Sequence, residues 1–403
     1  MAAKTTKGKR SPSENAGNPT APSRASSSPK ANPDFRENPD RAIHVAGAIT
    51  PELVRRLTPE IRRLRHAGPT EPITVYIDSE GGSVQSCEHL EGMLFNSDQD
   101  GNRCRIITVA TALAASAAAR LLTRGDCTLA YANATIHCHG TRFQGITELT
   151  RERADWASRS LSAFNDEMAS AFMHRTLENL PWLYQFHKEE IDNRSQDPAI
   201  KAPSHMQGLA CLIQQRLSVQ NRHLMDGVFA ELNLFTALEV FLGKPARSKL
   251  LEKARNRGRG AFELRLLKLI VDFLESECPK GEIQDGLKTI TVAQLTDLYS
   301  LRKDYYERFL SDCDNPEPQL MMLCETEQIV KCQSLPENER KPFLIAQVGD
   351  RLFSAWQLAT TLSANLVRGE NPLSARDAYW LGLVEEVVGD SMLPCRRTLM
   401  ERV

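Results

Sequence analysis

The sequence predicts an α/β fold, a core of alternating strands and helices that is interrupted by a large all-helical insertion and then resumes. Three observations support this. From residue 41 to about 145, short apolar runs alternate with helically spaced segments, the pattern of a layered βα core. From 146 to 346 that rhythm stops, and apolar residues recur at three-to-four spacing with charge between them. From 347 to 392 a long helical stretch leads into "LSARDAYWLGLVEEVV", a helix ending at Gly382 before a short strand.

Taken in order, residues 1 to 40 are rich in Ser, Pro, Lys, Asn and Ala and almost without large apolar side chains, so they are expected to form a disordered tail. "RAIHVAGAIT" opens the core with a short strand. "PELVRRLTPEIRRLRHAG" follows as a helix whose Leu53, Val54, Leu57, Ile61 and Leu64 share one face, and "ITVYI" is the next strand. That strand runs into "VYIDSEGGSV", where Gly81-Gly82 precede a helix start. Only glycine takes positive φ without penalty and admits another backbone at close range, so the pair marks a tight turn or a turn whose bare N–H groups face a ligand. The rhythm repeats through the helix around "EHLEGMLF", the strand "CRIITVAT", the helix "ASAAARLL" and the strand "ATIHCHG". The insertion, residues 146 to 346, carries the helical patterns "ELTRERADWASRSLSAFNDEMASAFMHRTL", "VFAELNLFTALEVFLG" and "FELRLLKLIVDFLESE". The core closes over 347 to 392, and 393 to 403 form a C-terminal tail.

With 50 basic and 51 acidic residues in 403, no whole-chain field draws the protein to nucleic acid or to an anionic membrane. The basic run "KPARSKLLEKARNRGRG" has no aromatic platform beside it and is read as solvated helix faces, not a nucleic-acid surface. "ITVAQLTDLYSLRKDYYERFL" lacks the turn glycine of a helix-turn-helix and is read as ordinary helical packing. The ten cysteines are scattered without a C-x-x-C pair, which suits reduced thiols better than a disulfide framework or a zinc site. There is no N-terminal h-region and no uncharged run long enough to span a bilayer, so the expectation is a cytoplasmic protein with no membrane contact.

Three further places can carry chemistry. Ser116 in "TALAASAAARLL" stands at a strand-to-helix junction among alanines, where it is either a helix cap or packing residue or a nucleophile awaiting a base. His137 and His139 in "NATIHCHG" are two apart on a strand and so face the same way. One can supply a base, and no third ligand in recognisable spacing supports a metal. Glu370 in "RGENPLSARDAYWLGLVEEV" precedes a helix start, where a carboxylate either orients a base or answers the helix dipole.

In this order, "RAIHVAGAIT", "VYIDSEGGSV", "TVATALAASAAARLL", "YANATIHCHG" and "NPLSARDAYWLGLVEEV" resemble the first strand, glycine turn, nucleophile segment, histidine strand and closing helix of the Clp protease proteolytic subunit family. The resemblance covers residues 41 to 145 and about 347 to 390. It implies a ClpP/crotonase-like spiral of βα units and a serine endopeptidase working through an acyl-enzyme. The family's nucleophile falls on Ser116 and its base on His139, not His137. Its acid, an Asp, falls on Glu370, and the oxyanion donors fall on the backbone N–H groups of Gly82 and Ala117. No metal or cofactor is implied. A peptide or unfolded protein is the implied substrate, and a homo-oligomer the implied state. With no Walker A pattern in the chain, any ATP dependence falls to a partner such as an AAA+ unfoldase.

The chain departs from the family pattern at Ala112, Asp78, Glu80 and Glu370, and by the insertion itself. These mark a divergent member and leave two alternatives, a catalytically altered scaffold or regulatory paralogue, and a crotonase-like acyl-CoA enzyme. The insertion enters where the family carries the strand and helix through which its rings stack. The expected assembly is therefore a single ring or a smaller closed one, with helical-block residues in its interface.

Overall fold

The computed structural model describes residues 37–99, 101–142, 150–195, 205–228, 232 and 317–395. The tail to residue 36, the basic run 244–260, the helical stretches 262–277 and 290–310, and the end beyond 395 lie outside the described residues. So does "VFAELNLFTALEVFLG", except Val228 and Leu232.

Seven strands form one sheet among the described residues: β1 Ala42–Ala46, β2 Ile73–Ser79, β3 Ile106–Ala115, β4 Cys127–Tyr131, β5 Thr135–His137, β6 Leu373–Ser374 and β7 Glu386–Val388. β1, β2, β3, β4 and β7 lie side by side in that order, all parallel. β5 runs parallel to β3 and carries β6 antiparallel on its far edge. The helices are α1 Pro51–Ala67, α2 Val84–Phe95, α3 Ala117–Thr123, α4 Arg151–Phe186, α5 Lys188–Ser195, α6 His205–Arg216, α7 Glu317–Met322, α8 Thr326–Gln333, α9 Glu337–Arg368 and α10 Ala375–Trp380.

Local chemistry explains the crossovers. α1 starts where the Thr50 hydroxyl accepts the Leu53 N–H (3.3 Å), with Pro51 at its first position, and it buries Leu53, Val54, Leu57, Ile61 and Leu64, the stripe its sequence predicts. α2 starts where the Ser83 hydroxyl accepts the Ser86 N–H. β2 and β3 are buried on both faces and read as nearly continuous apolar runs, as strands covered on both sides do.

β3 changes partner midway. Ile107–Ala110 pair with β4, whereas Leu113–Ala115 pair with β5. The second pairing carries the strand beyond the "CRIITVAT" predicted from sequence, up to the residue before Ser116. It also limits β5. The strand predicted over "ATIHCHG" stops at His137, because β3, its partner, ends at Ala115 opposite that residue. His139 therefore lies past the end of the ladder.

The two long helices α4 and α9 pack along each other. Met168, Phe172, Leu180 and Tyr184 of α4 and Leu344, Leu352, Leu362 and Leu366 of α9 belong to the same continuous apolar core as Ile43, Val75 and Leu122 of the βα layers. Arg175 pins α4 to the core. It is 5% exposed, bonds the Thr123 and Gly125 carbonyls, and pairs with Glu385 (2.8 Å) and Glu178 (3.0 Å). Removing one partner of such a buried pair costs about 3–5 kcal/mol. No described helix is long and apolar enough to cross a membrane.

Candidate active site

Ser116 is the one described non-glycine residue with positive φ (φ 56°, ψ −122°). It sits between β3 and α3, its N–H donating to the His137 carbonyl (2.8 Å) and its own carbonyl accepting from Arg120 (3.1 Å). Its side chain makes no capping bond to α3, so the helix-cap alternative fails. Ser116 is thus a half-buried serine held in a disfavoured backbone conformation at a sharp turn, its hydroxyl not spent on capping the helix.

The glycine turn packs directly behind this elbow. A Cβ on Gly81 (φ 90°) would stand 2.5 Å from the Ala115 carbonyl oxygen, 2.8 Å from Ser116 Cβ and 3.0 Å from the Ala117 nitrogen. One on Gly82 would stand 2.4 Å from the Ile49 carbonyl oxygen, because Gly82 bridges to Ile49 and is flanked by the bonds Ile49 N–H to Gly81 O (2.7 Å) and Ser83 N–H to Ile49 O (2.9 Å). Ser79 braces the turn, accepting the Gly81 N–H (3.1 Å) and donating to the Gly47 carbonyl (2.6 Å). The N–H groups of Gly82 and Ala117 have no hydrogen-bond partner among the described residues. Both glycines are thus needed for close approach: Gly81 lets the elbow in, and Gly82 seats the turn on Ile49.

The rings of His137 and His139 lie 5.1 Å apart, centroid to centroid, beside the elbow. His137 Nε2 bonds the Glu370 main-chain carbonyl (2.8 Å), and burial, its largest influence, holds its imidazole below the ordinary value. His139 Nδ1 bonds the Gly140 carbonyl (2.7 Å). A carbonyl only accepts, so in each case the ring nitrogen carries the proton. The neutral ring in this arrangement is the Nδ1–H tautomer, whose Nε2 lone pair is the acceptor.

The structure places the Glu370 carboxylate, 80% exposed, on Arg142 (3.0 Å) and not on His139. No hydrogen bond among the described residues joins the Ser116 hydroxyl to His139, or His139 to Glu370. The fold thus gathers Ser116, the glycine turn, both histidines and the Glu370 backbone around the end of β3, while the hydroxyl, imidazole and carboxylate stand unlinked.

Sequence reasoning missed three features here. Gly81 is the glycine packed against the Ser116 elbow, a role that spacing alone does not separate from that of Gly82. Arg142, the partner of Glu370, carries no local signal. Asp377 is 2% exposed and holds the start of α10 through Ser374 (3.0 Å), and the spacing of Ser374 and Asp377 in "LSARD" is the capping-box signature that could have found it. Among the described residues no cluster of His, Cys, Asp or Glu could hold a metal ion.

Residues 36–182 match the family model described as Clp protease. The match reaches well into α4. The chain is also 35% identical, over 103 residues, to the ATP-dependent Clp protease proteolytic subunit 1 of Shouchella clausii (strain KSM-K16), an alignment covering 24% of this chain and 50% of that protein. The chain thus spans about half the length of the curated relative it matches.

Proposed function

We propose that this Clp-protease-like chain is a serine endopeptidase, with Ser116 as nucleophile, His139 as base, Glu370 as orienting acid and the N–H groups of Gly82 and Ala117 as oxyanion donors. The observation that carries the reading is the Ser116 elbow, a strained serine that caps nothing and is backed by a glycine that admits it. The chemistry follows from the groups present. Ser116 Oγ attacks the peptide carbonyl as its proton passes to His139 Nε2, the nitrogen the Gly140 bond leaves free to accept. The carbonyl oxygen, now negative, takes the two unpartnered N–H groups. The imidazolium returns its proton to the leaving amine, and water resolves the acyl-enzyme by the same route.

Glu370 reaches this role by exchange. An exposed ion pair such as the one with Arg142 is worth about 0.2–1 kcal/mol, so the carboxylate leaves it at small cost, and on reaching His139 it takes the Nδ1–H over from the Gly140 carbonyl. The same pair is the observation that favours a second reading, a regulatory or scaffolding paralogue whose acid is engaged elsewhere. Labelling by a fluorophosphonate probe decides between them. Labelling that disappears in Ser116→Ala supports the peptidase, and an unlabelled wild-type chain selects the paralogue.

The proposed substrates are peptides and unfolded proteins, delivered by an ATP-dependent unfoldase, and the proposed state is a homo-oligomer smaller than a stacked double ring. Light-scattering mass measurement tests the assembly. A strict monomer refutes oligomerisation, and a stacked double-ring mass refutes the smaller assembly.

A further inference from the structure

The segment that carries Glu370 is gripped from the far side by the inserted helical region. After α6 the chain makes a 3-10 helix, Val219–Met225, which lies along residues 365 to 377. Asn365 Nδ2 donates to the carbonyls of Leu224 (2.8 Å) and Asp226 (3.0 Å), and Asn371 Nδ2 donates to that of Gln220 (3.1 Å). Asn221, fully buried, donates from Nδ2 to the Pro372 carbonyl (3.3 Å) and to Asp377 Oδ2 (2.9 Å). Ser218 completes the grip, its N–H donating to Asp377 Oδ1 (2.8 Å) and its hydroxyl to Oδ2 (2.8 Å). Burial alone would push the Asp377 carboxyl up, but donors from Ser218, Asn221 and Ser374 outweigh it and hold it ionised, below the usual range. The opposite side of the segment is fixed by β6 on β5 and by the His137 bond to the Glu370 carbonyl.

We infer that Ser218 and Asn221, supplied by the insertion, are positioning residues that hold the Glu370 segment against the histidine strand through Asp377 and the Pro372 carbonyl. The inference rests on the peptidase reading for its kinetic consequence, though not for its structural one. The short loop between α9 and β6, residues 369–372, buries no apolar side chain of its own to anchor Glu370, and these donors arrive from over a hundred residues away in sequence to supply the anchor. The insertion, on this view, is part of the catalytic scaffold.

The test compares wild type with Asn221→Ala, Ser218→Ala, Ser218→Thr and Asn371→Ala in the full chain, by amide hydrogen exchange over residues 369–374 and by cleavage of a fluorogenic peptide. Expected are faster exchange confined to that segment and a fall in kcat of about tenfold to a hundredfold with KM little changed in the Ala variants, as misplacement of a catalytic group by up to an ångström produces. Ser218→Thr, which keeps the hydroxyl, is expected to restore both. Asn371 is exposed, so its variant folds even if Asn221→Ala does not. Unchanged exchange at 369–374 in Asn371→Ala and Ser218→Ala overturns the inference, as does a kcat loss that Ser218→Thr fails to rescue. Faster exchange in a chain whose wild type cleaves nothing leaves the anchor standing and removes the peptidase reading instead.

Discussion

Replacing Gly81 with alanine tests whether the glycine turn exists to seat the nucleophile. The new Cβ would meet the Ala115 carbonyl oxygen at 2.5 Å, Ser116 Cβ at 2.8 Å and the Ala117 nitrogen at 3.0 Å. None of these is the far end of a flexible side chain, so relief requires the elbow itself to move, and opening the first contact from 2.5 Å to 3.4 Å takes roughly 0.9 Å. Left-handed backbone in a non-glycine residue adds about 1–2 kcal/mol, and overpacking about 1–3 kcal/mol, for a total of about 2–5 kcal/mol. A shift near an ångström at the reacting centre costs about a hundredfold in rate. The assay is paired: thermal denaturation for stability, and the rate of fluorophosphonate labelling for Ser116 reactivity. Gly101→Ala is the control, because Gly101 also has positive φ (80°) but its Cβ would meet nothing within 4 Å. The control should lose stability from strain alone and label at the wild-type rate. Gly81→Ala labelling as fast as the control would refute the seating argument.

Three other outcomes are expected. His139→Ala should abolish peptide hydrolysis, a loss of about a thousandfold or more, while His137→Ala, which removes the ring packing on His139 and one bond to the Glu370 segment, should cost no more than the roughly tenfold to hundredfold expected of loosening that segment; equal losses would remove the assignment of the base. Glu370→Gln should cut kcat strongly with little change in melting temperature, whereas Arg142→Ala should leave kcat at or above wild type, and a rate insensitive to Glu370→Gln would assign the acid elsewhere. His137 and His187 are each held below the ordinary imidazole value of about 6.5, chiefly by burial, so the unfolded chain binds protons the folded chain refuses. Their contribution is present above that value and lost as pH falls through it; melting temperatures that stay level or rise from pH 7.5 to 5.5 would contradict this.

The sequence showed what is decided locally. The apolar stripe of α1 and the glycine pair after β2 each depend on neighbours within a few residues, and the structure reproduces them. The stop at Gly382 (φ 74°) is of the same kind. What stayed hidden depends on distant partners. The end of β5 is set by where β3 ends, the position of the Glu370 carboxylate by Arg142, and the anchoring of its loop by Ser218 and Asn221. Ser116 falls between these cases. Its place at a strand-to-helix junction was legible, but its positive φ was not, because it goes with packing against Gly81 and the bond to His137, both distant in sequence.

The pairing order of the sheet also sets an order of events during synthesis. β4, residues 127 to 131, finds its outer neighbour only in β7, residues 386 to 388, and β5 finds its own only in β6, residues 373 and 374. A ribosome therefore releases Ser116 and both histidines long before the strands that close the sheet emerge. Two edges stay open through the translation of everything between. Contacts of such sequence separation are slow to form, because the loop must be closed before any pairing offsets its entropy. The nascent chain thus carries the Ser116 elbow without the segment that bears Glu370 until the last strands arrive.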